Sequence, residues 1–431
     1  MATDDDPFGG YDTAEAVAVD PVTGNVYVNG TGSRANNSDD FATIGYTASV
    51  EKLWKRAYSG RFRGGHDAAS DIAVDPATGR VFVTGSSQGA DGSSDFATVA
   101  YSRTGRPLWV ARYAGPDAGV ESAKAIAVDS GNGNVYVTGT AGLPAAPADF
   151  VTVAYSRTGQ ELWARGYDGP KHGTDTATEI AVDEQTGVVH VAGNSRLEQD
   201  GEIGENAYVT LAYSASGSRL WTVRQTNLPG VRNYLAGLGL TPAGATVILG
   251  RSEEAGERFE HQLIAYGTSG EELWTATEQG PRGKSDSALA VDPTTGNAYV
   301  LAINDQTLGA PPPFDRLVFG YDAQGTRLWR HTFTGPGGGT AYPERADIAV
   351  DAGSGNVYAL SEYNYGGLYF KTSAYSPGGI PLWTATYAQE DFTFNVSADI
   401  TVNPTSGDVY VVGGAGAGAE VDFLTVAYPG A

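Results

Sequence analysis

Short runs of apolar and polar residues alternate along the whole chain, each bounded by Gly, Pro, Asp or Asn. Val, Ile, Tyr, Phe and Thr dominate the runs, which is the composition of half-buried β-strands. No segment sustains a 3.6-residue period, so the pattern predicts an all-β chain nearly free of helix. The runs also repeat. One series reads AVAVDPVTGNVYV (16–28), DIAVDPATGRVFV (71–83), AIAVDSGNGNVYV (125–137), EIAVDEQTGVVHV (179–191), GLGLTPAGATVIL (237–249), ALAVDPTTGNAYV (288–300), DIAVDAGSGNVYA (347–359) and DITVNPTSGDVYV (399–411). A second series of the type DFATVAY ends at Tyr46, Tyr101, Tyr155, Tyr213, Tyr266, Tyr321, Tyr375 and Tyr428. All seven tryptophans fall in a third, in phase with the others: Trp54, Trp109, Trp163, Trp221, Trp274, Trp329 and Trp383.

Each repeat therefore holds four predicted strands. The first joins the second through Val-Asp-Pro-x-Thr-Gly-Asn, in which Pro presets φ for a type I turn and Gly takes the left-handed position. The third joins the fourth through Ser-x-x-Gly. Asp20, Asp75, Asp129, Asp183, Asp292 and Asp351 are read as turn residues that bond their own loop. Four-stranded units of about this size, repeated around one axis, predict a single eight-bladed β-propeller of four-stranded antiparallel blades. The repeats run approximately 8–60, 61–115, 116–169, 170–228, 229–281, 282–335, 336–390 and 391–431. Only seven copies carry the Trp strand. The eighth blade is expected to have three strands, or to have its edge covered by Ala2–Pro7.

Against that architecture the composition reads simply. Glycine supplies 59 of 431 residues, about twice the usual share of roughly 7%, as punctuation at strand reversals. With no cysteine, disulfide scaffolds, thiolate zinc sites and cysteine nucleophiles are excluded. A net charge of −23 argues against nucleic acid and anionic lipid as partners, since both need basic patches. No run of apolar residues is long enough to span a membrane. The start, Met-Ala-Thr-Asp-Asp-Asp, has neither the basic nor the apolar region of a signal peptide.

The unit DFATVAYSRTGRPLWVARYAGP (95–116), followed by AIAVDSGNGNVYVTG (125–139), resembles the bacterial β-propeller repeat family known as SBBP. The phrases AVDxxTGNVYVTG and YSxxGxxLW carry the resemblance over nearly the entire chain. It implies a propeller in a secreted or cell-surface bacterial protein and dictates no reaction. A more distant similarity runs to the eight-bladed quinoprotein dehydrogenases, through Gly-x-x-x-Trp segments at Gly105–Trp109, Gly159–Trp163 and Gly270–Trp274. Those enzymes hold a quinone beside calcium and often use an adjacent cysteine pair. Nothing here matches their active-site motif, so no cofactor is expected.

In such a meander the second-to-third-strand loops and the blade-to-blade links share one face, and the links end around the mouth of the axial channel. Binding residues concentrate on loops held by a rigid scaffold. Nine residues before each turn Asp, the links place Tyr11, His66, Val120, Thr174, Arg232, Gly283, Tyr342 and Phe394. The next position holds Asp12, Asp67, Glu121, Asp175, Asn233, Lys284, Pro343 and Asn395. The mouth thus reads as acidic on one half and basic on the other, with Arg345 joining Arg232 and Lys284. This predicts a site for a zwitterionic or polyhydroxylated ligand. The competing reading has Asp12, Asp67 and Asp175 capping the links through side-chain hydrogen bonds. Tyr365, in the loop from Tyr363 to Phe370, adds an aromatic that stacks on a ligand or packs on a neighbouring blade.

His190 and His331 are read as packing residues. His66 and His172 lie on links without metal-ligand spacing, and the acidic stretch from Glu198 to Glu205 lacks the calcium-loop pattern, so no metal is expected. Three functions stay open: a module binding a small molecule, glycan or protein at the axial face; a lyase or hydrolase using His66, Tyr11, Tyr342 and Arg232 as base, acid and anion clamp; and a structural spacer. Oligomeric state is left open.

Overall fold

In the computed structural model the description covers all residues except 5–11, 34–37, 63, 116–118, 143–146, 171, 197–205, 227–230, 255–258, 280–284, 305–314, 335–344, 365–367, 388–393 and 418–419. The described residues form strands and turns without helix. Six sheets have four strands, and one eight-stranded sheet joins the second and third repeats through a short parallel pairing at Val120 and Ser94. Within each repeat the order is a plain antiparallel meander. The second repeat runs Asp67–Asp75, Arg80–Gln88, Ser94–Tyr101 and Pro107–Tyr113.

The last repeat obtains its fourth strand from the other end of the chain. Ala2–Asp4 pairs antiparallel with Glu420–Tyr428, Ala2 opposite Thr425. Of the two arrangements expected for this repeat, the N-terminal segment on the sheet edge is the one found. The first strands of successive repeats pack on one another in chain order. Phe394–Val402 of the last repeat also packs on Thr13–Val19 of the first.

The apolar core lies between successive sheets. Ala16, Tyr27, Phe41 and Trp54 of the first repeat pack with Ile72, Val81, Val83 and Val99 of the second. Val26, Val28 and Ile44 of the first pack with Tyr410, Val412 and Phe423 of the last.

The tryptophans bridge these layers. Trp54 Nε1 donates to the Arg103 carbonyl at 3.0 Å, in the turn of the next repeat. Trp109, Trp163, Trp221, Trp274 and Trp329 make the same bond to Arg157, Ala215, Thr268, Ala323 and Pro377. The Gly of each Ser-x-x-Gly turn is the seat for the preceding repeat's indole. Gly105 has φ +76, and a Cβ there would lie 2.5 Å from Trp54 Cδ2. Gly105→Ala is therefore expected to destabilise the chain by at least about 2 kcal/mol, combining a left-handed L-residue with overpacking. Urea unfolding followed by tryptophan emission measures this, and an unchanged midpoint would contradict the seat.

The turn aspartates behave as read. Asp20 Oδ1 accepts the Val22 N–H at 3.0 Å and Oδ2 accepts the Thr23 hydroxyl at 2.9 Å. Burial opposes its ionisation, but these bonds and the Arg103 guanidinium at 2.7 Å hold its carboxyl below the ordinary range. Arg103 belongs to the next repeat, so this turn also ties two sheets.

A second tie was not anticipated. On several first strands a carboxylate, four residues before the turn Asp in most of them, reaches the backbone of the following repeat. Asp71 accepts the N–H of Ile126 at 2.8 Å, and Asp347 that of Ile400 at 2.9 Å. Asp286 accepts the N–H of Ala346 at 2.8 Å. Asp399 accepts that of Val17 at 2.7 Å, linking the last repeat to the first.

Candidate functional site

Strand direction places the links and the second-to-third-strand loops at one end of the sheets, where His66 presents an exposed imidazole. His66 precedes Asp67–Asp75, and its Nδ1 lies 2.8 Å from Asp39 Oδ2 at the start of the first repeat's third strand. Asp39 is itself held, because the Ser33 hydroxyl donates to its Oδ1 at 2.7 Å. The His66 backbone N–H donates to Gln88 Oε1 at 3.0 Å, fixing the ring's origin. The imidazole remains 59% exposed, with no partner at Nε2 among the described residues. On the same link Arg61 is exposed and Phe62 is 39% exposed. A carboxylate-oriented imidazole, a part-exposed aromatic residue and a cation thus share one short link.

The other predicted carboxylates point elsewhere. Asp12, Asp67, Glu121 and Asp175 are all buried. Asp12 Oδ1 accepts the Ser33 N–H at 3.1 Å, and Asp67 Oδ2 the Gly60 N–H at 2.6 Å. Asp175 Oδ2 accepts the Gly169 N–H at 2.5 Å. Glu121 bonds the Gly115 N–H; burial, followed by repulsion from Asp95, pushes its carboxyl up to about 7. These bonds are the link-capping arrangement weighed above, and they withdraw the four carboxylates from the surface. Asn233 takes the corresponding place in the fifth repeat, buried and bonded to Asn206 and Ser252.

Arg232 lies in Val231–Leu240, with its side chain outside the described residues. Tyr11, Lys284, Tyr342 and Tyr365 also lie outside them. Arg345 is paired with Glu15 at 3.3 Å. His190 is buried, bonded to the Thr246 hydroxyl at 2.8 Å, and burial lowers its pKa to about 4. His331 Nε2 lies 2.5 Å from the Gly379 carbonyl and its ring stacks on Tyr375.

Two groupings escaped sequence reasoning. Between the first strands, burial raises Asp71 to about 7 and Glu179 to about 8. Burial, and then the neighbouring Asp399, raise Asp347 well above the ordinary carboxylate range. The visible signal was a charge recurring where Ala16, Ala125 and Ala288 stand in other repeats. At the junction of the third and fourth repeats, Asp149, Asp168 and Asp175 bring carboxylate oxygens within 4.8 Å of one another. Burial, then Asp168 and Asp175, raises Asp149 to about 6. Asp168 also holds His172 Nδ1 at 2.5 Å and raises that imidazole's pKa.

No protein-family model and no curated protein matches the chain. Among solved structures it is similar to the polysaccharide lyase Uly1, with a TM-score of 0.51 and 11% identity over 87% of this chain and 92% of that one. A PL25 ulvan lyase aligns with a TM-score of 0.47 and 12% identity over 90% and 98% of the two chains. Hadza microbial sialidase Hz136 aligns at 0.41 and 11%, over 78% and 73%. At such identities the likeness concerns the fold.

Proposed function

We propose that residues 1–431 form one closed eight-bladed β-propeller that binds a glycan at its loop-bearing end, on the link centred on His66. The continuous packing of first strands, the Ala2–Asp4 edge pairing and the Asp399 bond to Val17 support a closed ring. The Ser33–Asp39–His66 chain carries the functional reading. It presents a fixed donor–acceptor pair next to the part-exposed Phe62, and sugars offer hydroxyls on their edges and C–H groups on their faces. A net charge of −23 disfavours heavily sulfated or polyuronate chains, so the favoured ligand is a neutral or weakly charged glycan. The SBBP resemblance, and with it a secreted or cell-surface location, fits an extracellular glycan.

Calorimetric titration with a panel of neutral oligosaccharides tests this. His66→Ala and Phe62→Ala are each expected to weaken binding by about tenfold or more, the effect of losing one good polar or stacking contact. Unchanged affinity in both variants would overturn the proposal.

One observation favours a second reading. Asp39 holds Nδ1, which leaves Nε2 free to take a proton, as in a β-eliminating lyase. In that reading Tyr11 or Tyr342 supplies the acid and Arg232 the anion clamp. Incubation with an oligosaccharide containing uronic acid tests it. Loss of the proton beside the carboxylate and departure of the 4-linked sugar would give an unsaturated uronate. Such a product, abolished in His66→Ala, would replace binding by catalysis.

A further inference from the structure

We propose that the Arg224 guanidinium binds a small monovalent anion, chloride or a carboxylate, at the place an aspartate fills in the second repeat. The second and fourth repeats match in register here. Arg112 lies opposite Ala97 and Arg224 opposite Val209, each on the fourth strand of its repeat. Ser87 and Ser195 take the same place on the second strands, and both are buried. The difference lies on the third strand, opposite each serine: Asp95 in the second repeat, Ala207 in the fourth.

In the second repeat that aspartate is what the arginine holds. Nε and Nη2 of Arg112 both donate to Asp95 Oδ2, at 3.0 and 2.8 Å, and Nη1 donates to the Ser87 hydroxyl at 2.6 Å. In the fourth repeat the same two nitrogens, Nε and Nη2 of Arg224, are buried and reach no acceptor. The fold does not demand a cation there. Ala57, Gly166, Thr277, Thr332 and Thr386 stand in the corresponding place of other repeats. Burying guanidinium N–H groups without an acceptor is costly. Two N–H groups that meet on one carboxylate oxygen in the second repeat suit a compact anion in the fourth.

The carboxylate near Arg224 does not take this role. Asp175 feels the guanidinium through space, while its Oδ2 accepts the Gly169 N–H at 2.5 Å. Among the described residues no hydrogen bond or ion pair joins Asp175 to Arg224. Asp175 is the counterpart of Asp67, which lies opposite Ser87 and accepts the Gly60 N–H in the same way. The second repeat thus already carries Asp67 and Asp95 around one arginine, and an anion beside Arg224 restores that arrangement. Asp168, an added charge where Ser59 stands in the first repeat, is met by His172 at 2.5 Å. Both free nitrogens are buried, so the occupant is an ion of the size of chloride or formate rather than the acid group of a sugar chain.

The test uses the full chain in sodium methanesulfonate, whose anion is too bulky for this place, with chloride or formate exchanged in at constant ionic strength. Tm should rise with each anion along a saturable curve. The anion that saturates at the lower concentration separates an inorganic ion from a carboxylate as the occupant. Arg224→Gln is expected to weaken the response by about tenfold or more in concentration. Arg219→Gln, which removes an exposed arginine on the same strand, should respond as the wild type does. Ala207→Asp, which installs the residue of the second repeat, should raise Tm in methanesulfonate and abolish the dependence on either anion. A wild-type Tm that ignores both anions, the result if water alone fills the place, would overturn the proposal. So would a response as strong in Arg224→Gln as in the wild type, or one that persists in Ala207→Asp.

Discussion

Trp163→Ala is expected to lower the free energy of unfolding by about 3–5 kcal/mol, the range for deleting a large buried aromatic. Trp163 is only 7% exposed and packs against Tyr136 of its own repeat and Tyr213 of the next, with ring centroids 5.9 and 5.8 Å away. Its Nε1 donates to the Ala215 carbonyl at 2.9 Å, and Gly217 leaves room for the ring. Truncation therefore removes packing from both sides of one junction and orphans a carbonyl. Phenylalanine separates the two contributions. At Trp163 it keeps most of the packing and loses the bond. At Trp383 the buried Nε1 has no partner among the described residues, so the same change loses none. Trp163→Phe should accordingly cost about 1 kcal/mol more than Trp383→Phe. Chemical denaturation measures both, and equal costs would show that the indole N–H contributes nothing across the junction.

Raising the pH from about 6.5 to about 8 is expected to destabilise the protein, by about 1.4 kcal/mol per pH unit for each carboxyl that is protonated only when folded. Asp71 and Glu121 are raised to about 7 and Glu179 to about 8, chiefly by burial. At the start of this window the unfolded chain has lost those protons while the folded chain still holds them. Asp71 and Glu121 release theirs around pH 7 and Glu179 around pH 8. A group with a raised folded pKa stabilises at low pH, and that contribution is lost as pH climbs through the raised value. Below about 6.5 two histidines oppose the trend. Burial lowers His190 and His261 to about 4 from an ordinary 6.5, so acid must charge them on unfolding. The carboxyl effect should stand out only above that window. Glu179→Gln is expected to flatten the dependence of Tm on pH between 6.5 and 8 by about one proton's worth. A Tm that rises across this range in wild type would contradict the assignment.

The architecture was legible because it rests on repetition. A Trp donating across a junction, a Gly beneath it and an Asp closing each turn must all recur, and recurrence is visible in one sequence. The candidate site was legible only in part. Aligning the repeats located Asp12, Asp67, Glu121 and Asp175 correctly at the link ends. It could not say whether those carboxylates face solvent or accept the N–H groups of Gly60, Gly115 and Gly169, because a backbone donor leaves no mark on side-chain spacing. His66 was found, but Asp39, which orients it, belongs to the previous repeat and lies 27 residues away. The three-carboxylate junction shows the converse case. Its signal lay in departures from the repeat, Gly166 for Arg112 and Asp168 for Ser59, rather than in any motif.

The pairing of Ala2–Asp4 with Glu420–Tyr428 constrains the order in which the molecule can be made. Sheets built from one repeat can form as soon as their own residues leave the ribosome. The last sheet cannot, since its edge strand is synthesised first and must wait for partners more than four hundred residues later. Until then the first repeat leaves Val26, Val28 and Ile44 without the Tyr410, Val412 and Phe423 that cover them. Such long-range closure is slow and leaves apolar surface open meanwhile. Joining the two ends is therefore the late step of folding, and the interval before it is when the chain is most prone to aggregate.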